Sequence, residues 1–211
     1  MTMSATVLEI TAELAAVGRA AVSSGLVLAS GGNLSARLPD DNAFVVTASG
    51  TWLDRLMPAD FSIVSMSGEV LEGHATPSSE WKLHQRSYAA RPDINAVVHV
   101  HPQYAVLLDA LGHPIRLMTL DHAYYVKSVG VTPYFPNGSD DLADSAGEQA
   151  VEHDCVLMSH HGCSALGDSV EMAFRRALNL EEAAAATYRA IAIGDFTTTF
   201  PPADFAQLHH A

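Results

Sequence analysis

Short apolar runs and longer stretches of helical spacing alternate along the whole chain, and this mixing constrains the fold more than any single motif. Helices and strands drawn from every part of a chain must share one core, so the class is α/β or α+β, built in layers. Val7, Ile10, Leu14, Val17 and Ala21 recur at helical spacing and predict an amphipathic helix ending near Gly25. Residues 30–35 read as a Gly-rich turn, 43–47 and 61–66 as strands, and 68–77 as a second turn region. A helix is expected over about 78–90, broken by Arg91-Pro92-Asp93, then a strand over 96–101 and a helix from Pro102 to about Gly112. Residues 117–134 read as loop and short strand. Ser139 with Asp140-Asp141 opens a helix to about His153, and 155–158 is a short buried strand. Asp168, with Glu171 three residues on, is expected to cap a long Ala-rich helix to about Ile193. No internal repeat or linker interrupts the pattern. We therefore expect a single domain over 1–211, with its core at about 8–193 and a loosely packed tail over 194–211.

Charge excludes some functions. Eleven Lys and Arg stand against 24 Asp and Glu, a formal net charge of −13, so no basic face is expected to coat nucleic acid or an anionic membrane. An anionic small molecule would have to be held by local donors. Cys155 and Cys163 form no CxxC pattern, which suits a reducing, cytoplasmic setting. The N-terminal stretch carries Glu9 and Glu13 and no basic n-region, and no apolar run approaches the ~18 residues of a membrane span.

The sharpest chemical signal is His99-Val100-His101 at the end of an apolar strand. Residues i and i+2 of a strand share a face about 6.6 Å apart, and two imidazoles there can converge on one ion with Zn–N bonds of about 2.0–2.1 Å. His160-His161-Gly162 ends another apolar run, and either histidine can be a third ligand. Glu80, after Ser78-Ser79 at an expected helix start, can complete the set or act as an acid/base. His84, one helical turn on, is a rival ligand or a core residue. Each signal alone has an ordinary structural explanation. Together, three histidines and a carboxylate at element boundaries point to one metal ion, best suited to Zn²⁺, with Mn, Co or Fe chemically possible.

A second group of motifs is suited to an anion. Gly31-Gly32-Asn33, Ser49-Gly50 and Ser78-Ser79 offer small residues and donors, and backbone N–H groups at a turn or helix start bind phosphate without a formal positive charge. Neither GxGxxG nor GxxxxGK[ST] is present, so no nucleotide site is indicated.

Taken in order, Gly32-Asn33-Leu34-Ser35, Thr47-Ala48-Ser49-Gly50, Pro77-Ser78-Ser79-Glu80-Trp81, 96–101 and His160-His161-Gly162 resemble the class II aldolase/adducin family over roughly residues 8–193. Within it the pattern is closest to the L-fuculose-1-phosphate aldolases. The resemblance implies a three-layer α/β/α sandwich with a mostly antiparallel central sheet, and a homotetramer with sites at subunit interfaces. It implies one Zn²⁺ per chain on Glu80, His99, His101 and His161, and a substrate phosphate held by Asn33, Ser49, Gly50, Ser78 and Ser79. The implied reaction is cleavage of a small phosphorylated ketose to dihydroxyacetone phosphate and an aldehyde. The ion is expected to stabilise the enediolate, while Glu80, displaced from it, moves protons at the enediolate carbon. Fuculose-phosphate aldolases protonate the leaving oxygen with a tyrosine of a neighbouring subunit. An ungapped count puts that position near Thr119, beside Asp121-His122, and leaves Tyr124 and Tyr125 as the nearest candidates.

Two alternatives share the resemblance: a metal-dependent decarboxylase or other lyase acting on a small keto or hydroxy acid, and a non-catalytic adducin-like binding module. Such modules generally lack the ligands, whereas all four candidates are present here. A metallohydrolase of the metallo-β-lactamase type needs Asp-His after HxH, and here Pro102-Gln103-Tyr104 follows.

Overall fold

The computed structural model describes residues 4–39 and 42–201. Five helices and eight strands alternate: α1 (Ala5–Ser23), β1 (Asn33–Arg37), β2 (Ala43–Thr47), β3 (Phe61–Ser65), β4 (Val70–Gly73), α2 (Trp81–Ala90), β5 (Ala96–Val100), α3 (Gln103–Ala110), β6 (Val129–Thr132), α4 (Asp140–Ala150), β7 (Cys155–Met158), β8 (Gly162–Gly167) and α5 (Val170–Ala192). The strands form one sheet in the order β4-β3-β2-β1-β5-β8-β7-β6. Every pairing is antiparallel except β6 with β7.

Helices cover both faces, which is why the central strands are apolar on successive residues. Val45, Ala96, Val98 and Val100 face one core, filled by Leu14 and Val17 of α1, Leu108 of α3 and Ala173, Ala177 and Leu180 of α5. Phe44, Val46 and Val97 face the other, with Leu83 and Tyr88 of α2 and Leu142 and Ala146 of α4. This is the expected three-layer α/β/α sandwich with a mostly antiparallel sheet. Both cysteines are buried and unpaired. Among the described residues no helix is long and apolar enough to cross a membrane.

Several local expectations are corrected. Residues 33–35, read as part of a turn, open β1; the turn ends at Gly32, whose φ of 73° suits glycine. β4 lies inside the second turn region as an exposed edge strand. α2 starts at Trp81 and not at Ser78, because Ser78 Oγ accepts the Glu80 N–H and holds 78–80 as a turn at the helix entrance. Residues 122–126 form one turn of π-helix within the segment read as loop and short strand. The strand β8 (Gly162–Gly167) follows His161 in a stretch to which the sequence reading assigned no element. That helix is capped by Ser169 and not Asp168: Ser169 is extended and its Oγ accepts the Met172 N–H, while Glu171 pairs with Arg175 instead of closing a capping box. Ser139 caps α4 as expected. The start of the tail is not loose: Arg116 donates to the Asp195 and Thr198 carbonyls, and the Phe200 N–H donates to Leu117 O. The rest of the expected tail, 202–211, lies outside the described residues.

Candidate metal centre and substrate cavity

Three segments deliver the metal candidates. β5 carries His99 near its end, paired across the sheet with Asn33 of β1 on one side and Ser164 of β8 on the other. His101 lies one residue past the strand and keeps the i,i+2 relation, so its ring meets that of His99 edge-on at 5.0 Å between centroids. His161 ends the three-residue connection between β7 and β8. There His160 takes a left-handed φ of 59°, and its N–H donates to Asp109 Oδ2. This turn aims His161 at the cluster and leaves His160 exposed outside it, which resolves the choice between the two. Glu80 enters from the start of α2.

The four residues place one ligand atom each within 4.8 Å of one another. His99 Nε2 and His101 Nε2 are 3.1 Å apart. Glu80 Oε2 is 3.2 Å from His99 Nε2, and Oε1 is 3.2 Å from His161 Nε2. Ligand atoms at the corners of a tetrahedron with bonds of about 2.0–2.1 Å stand roughly 3.3 Å apart, so the set fits a single ion. Glu80 Oε1 is buried without a hydrogen bond, as an atom aimed at a cation would be. Burial, with the neighbouring His99 and His161 imidazoles, lowers His101 to about 3 against the weaker pull of Glu80. Burial and His99 likewise lower His161. Both shifts favour the neutral imidazole, the form that has a lone pair for an ion. Burial acts to raise Glu80, but His99, His161 and the Asn33 amide outweigh it and hold the carboxyl well below its usual range.

Gly162 makes the convergence possible. A Cβ there would lie 2.5 Å from Val100 O and 2.6 Å from His101 Cδ2. Gly162→Ala must displace the HxH segment, so metal content of the purified variant is expected to fall below half of wild type. Unchanged occupancy would show that the site tolerates such a shift.

Beside the cluster is a polar cavity of ≈ 160 Å³. Its walls are Ser30 to Asn33, Ala48 to Thr51, Ser78 to Glu80, His101, Asn137 and His161. All five expected phosphate-binding residues, Asn33, Ser49, Gly50, Ser78 and Ser79, are therefore brought together here, and no Lys or Arg lines the cavity. Two of their side chains are engaged. Asn33 Nδ2 donates to Glu80 Oε2 at 2.9 Å, and Ser78 Oγ accepts from Glu80 N. Asn137 was missed. It is an exposed loop residue just ahead of α4, and only the tight packing of Gly138 on Ser79 O brings it to the cavity. No sequence spacing signals that contact. His84, the rival ligand, is excluded from the cluster: it is buried and bonded to Asn33 and Ser35.

Tyr124 and Tyr125 do not reach the cavity within one chain. Both lie on the π-helical turn; Tyr125 is buried and its hydroxyl accepts from Arg175 Nη1 at 3.2 Å. His122 beside them is buried and paired with Glu182.

The chain is similar to known proteins in sequence and in structure. The family model described as Class II Aldolase and Adducin N-terminal domain matches residues 12–188. A 5-deoxy-D-ribulose 1-phosphate aldolase of Bacillus thuringiensis serovar kurstaki is 34% identical over 183 residues, covering 87% of this chain and 86% of that protein. A 3-oxo-tetronate 4-phosphate decarboxylase of Haemophilus influenzae is 34% identical over 173 residues, covering 80% and 81%. A solved L-fuculose 1-phosphate aldolase superposes with a TM-score of 0.89 at 28% identity, covering 98% of this chain and 95% of that one.

Proposed function

This chain belongs to the class II aldolase and adducin family, and on that premise we propose that it is a zinc-dependent aldolase that cleaves a small ketose 1-phosphate to dihydroxyacetone phosphate and an aldehyde. The observation that carries the reading is the junction of the four-ligand cluster with a cavity of hydroxyls, glycines and an amide. Its neighbours in sequence and structure include aldolases of two 1-phosphorylated deoxyketoses, 5-deoxy-D-ribulose 1-phosphate and L-fuculose 1-phosphate.

His99, His101 and His161 would hold a divalent ion, which would supply Lewis acidity for the cleavage. The donor set of three imidazoles and a carboxylate suits zinc best. Glu80 belongs to both the cluster and the cavity wall, so it serves as the acid/base. When the C3–C4 bond breaks, the bonding pair stays on C3, and Glu80, which takes up a proton from solvent once the substrate displaces it from the cluster, delivers that proton there; in the condensation direction the ionised carboxylate removes it. The C4 hydroxyl loses its proton as the aldehyde forms. One chain brings no tyrosine to this point, so the acid/base at the aldehyde oxygen comes from a second copy in a homotetramer with sites at its interfaces, with half-buried Tyr124 the better placed of the two tyrosines. Ser49, Gly50 and Ser79 hold the phosphate with neutral donors, as a cavity without cations requires.

The phosphate assignment has a direct test. A hydrogen bond to a charged group contributes about 1.5–3 kcal/mol, and each 1.4 kcal/mol is a factor of about ten. Ser79→Ala is expected to raise KM for a ketose 1-phosphate by about ten-fold and to leave KM for the unphosphorylated ketose almost unchanged. Equal effects on both substrates would remove Ser79 from the phosphate site.

The function itself is tested by loading the protein with zinc and assaying release of dihydroxyacetone phosphate from L-fuculose 1-phosphate and 5-deoxyribulose 1-phosphate. CO₂ release from a 3-oxo acid 4-phosphate is followed in parallel. The relative that decarboxylates such a compound makes this the second reading. Carbon dioxide without any retro-aldol product would replace the first reading with it.

A further inference from the structure

α2 and β1 face each other with matching spacings. Glu80, His84 and Tyr88 recur every fourth residue from the entrance of α2, about 6 Å per step. Asn33 and Ser35 recur every second residue of β1, about 6.6 Å apart. The two rows interleave as a zipper: Glu80, Asn33, His84, Ser35, Tyr88. Asn33 Nδ2 lies 2.9 Å from Glu80 Oε2, and Asn33 Oδ1 meets His84 Nε2. His84 Nδ1 is 2.6 Å from Ser35 Oγ, which is 2.7 Å from Tyr88 Oη. All five residues are at most 5% exposed. Phe44, Val97 and Leu83 pack with Tyr88 in the buried core on this side of the sheet.

Resting on the reading of Glu80 as the acid/base, we propose that Asn33, His84 and Ser35 are positioning residues that fix the proton direction of this chain and so hold an N–H donor permanently against Glu80. The direction follows from donor and acceptor counts. A metal-ligating carboxylate can only accept, so Asn33 presents its NH₂ to Glu80 and its oxygen to His84. His84 must then carry its proton on Nε2. Burial, with His99 nearby, lowers His84 to about 3, which favours the neutral ring, and with the proton on Nε2 the Nδ1 is a bare acceptor. Ser35 donates to it, and Tyr88 donates to Ser35. Burial pushes the Tyr88 phenol up, and the Val97 backbone N–H engages its oxygen, so Tyr88 remains a donor.

Breaking the chain at Ser35 frees the imidazole. With no hydroxyl to donate to it, Nδ1 becomes a buried acceptor without a partner, and the ring loses the bond that holds it from behind. The Asn33 amide that the ring anchors can then shift off the Glu80 carboxylate. Loss of a partner behind a metal-site residue costs about 10–100-fold in activity or affinity.

The first measurement is the ¹⁵N spectrum of His84, recorded on the metal-free and the zinc-loaded protein. A proton on Nε2 with a bare Nδ1 is expected; a proton on Nδ1 would overturn the proposal without reference to any activity. The second compares Ser35→Ala with Ser87→Ala. Ser87 is on the same helix and equally buried, but its hydroxyl donates to Leu83 O outside the chain. In the zinc-loaded enzyme, exchange of the C3 proton of dihydroxyacetone phosphate with D₂O isolates the step assigned to Glu80. Ser35→Ala is expected to slow it at least ten-fold with KM within three-fold and full zinc content, and Ser87→Ala to leave it within three-fold. A rate for Ser35→Ala less than ten-fold below wild type, or an equal fall in both variants, would reduce the zipper to packing. Absence of exchange in the wild type would instead refute the assigned function, and the tautomer alone would then decide the proposal.

Discussion

Glu80→Gln is expected to keep most of its metal and to lose about 10²–10⁴-fold in turnover, the range that a positioned acid/base supplies. The substitution preserves shape, and three imidazoles remain to hold the ion. The lost step is proton transfer at C3, because an amide neither gives nor takes that proton. The Asn33 NH₂ that donates to Glu80 Oε2 meets an amide oxygen or an amide NH₂ in the variant, and the neutral donor set behind it selects the oxygen. Paired measurements of zinc content and of dihydroxyacetone phosphate release check this. A variant with full zinc and turnover within a few-fold of wild type would leave Glu80 as a ligand only.

His99→Ala is expected to have the larger effect. His99 is completely buried at the middle of the cluster, its ring 5.0 Å from that of His101 and 5.1 Å from that of His161. Without it, the Glu80 carboxylate loses its strongest neighbour and the remaining imidazoles lose the shared centre. Metal content should fall from about one ion per chain to a small fraction. The Lewis acid contributes several kcal/mol at the transition state, so kcat/KM should fall at least about 10³-fold. Stability gives an independent readout. A metal that binds only the folded chain raises its Tm, so a chelator should lower the Tm of wild type and leave that of His99→Ala almost unmoved. A variant that kept its ion and its chelator response would place the ion elsewhere.

The histidine ligands were legible in sequence to different depths, and the reasons are physical. His99 and His101 were readable because a strand has a period of two and the run before them is apolar on both faces, as a doubly covered sheet requires. His161 was readable as one of two, since the left-handed turn at His160 that chooses between them leaves no mark on composition. β1 was hidden because Asn33 and Ser35, polar in a buried strand, resemble a turn until the polar stripe of α2 is laid against them. β8 was hidden because Gly162, Ser164 and Gly167 have weak strand preference; they are small because β8 passes close to Val100 and to the start of α5, where a Cβ on Gly167 would lie 2.4 Å from Ala173 N. Asn137 and the zipper are tertiary contacts. No spacing within one segment encodes the match between every second residue of a strand and every fourth of a helix.

The ligand-bearing strand β5 is interior to the sheet, bonded to β1 and β8 and covered by helices on both faces. In hydrogen exchange, its amides are expected to be released only when the sheet itself comes apart, and those of the edge strand β4, with Val70 and Leu71 exposed, to be released early. Fraying of the rim therefore leaves His99 undisturbed. An ion held there would leave by side-chain motion at the cavity mouth or by unfolding of the sheet. A loaded molecule should then hold its ion over many cycles of rim breathing, and its rate of metal loss should be governed by Glu80 and His161, the two ligands carried at a helix entrance and a turn.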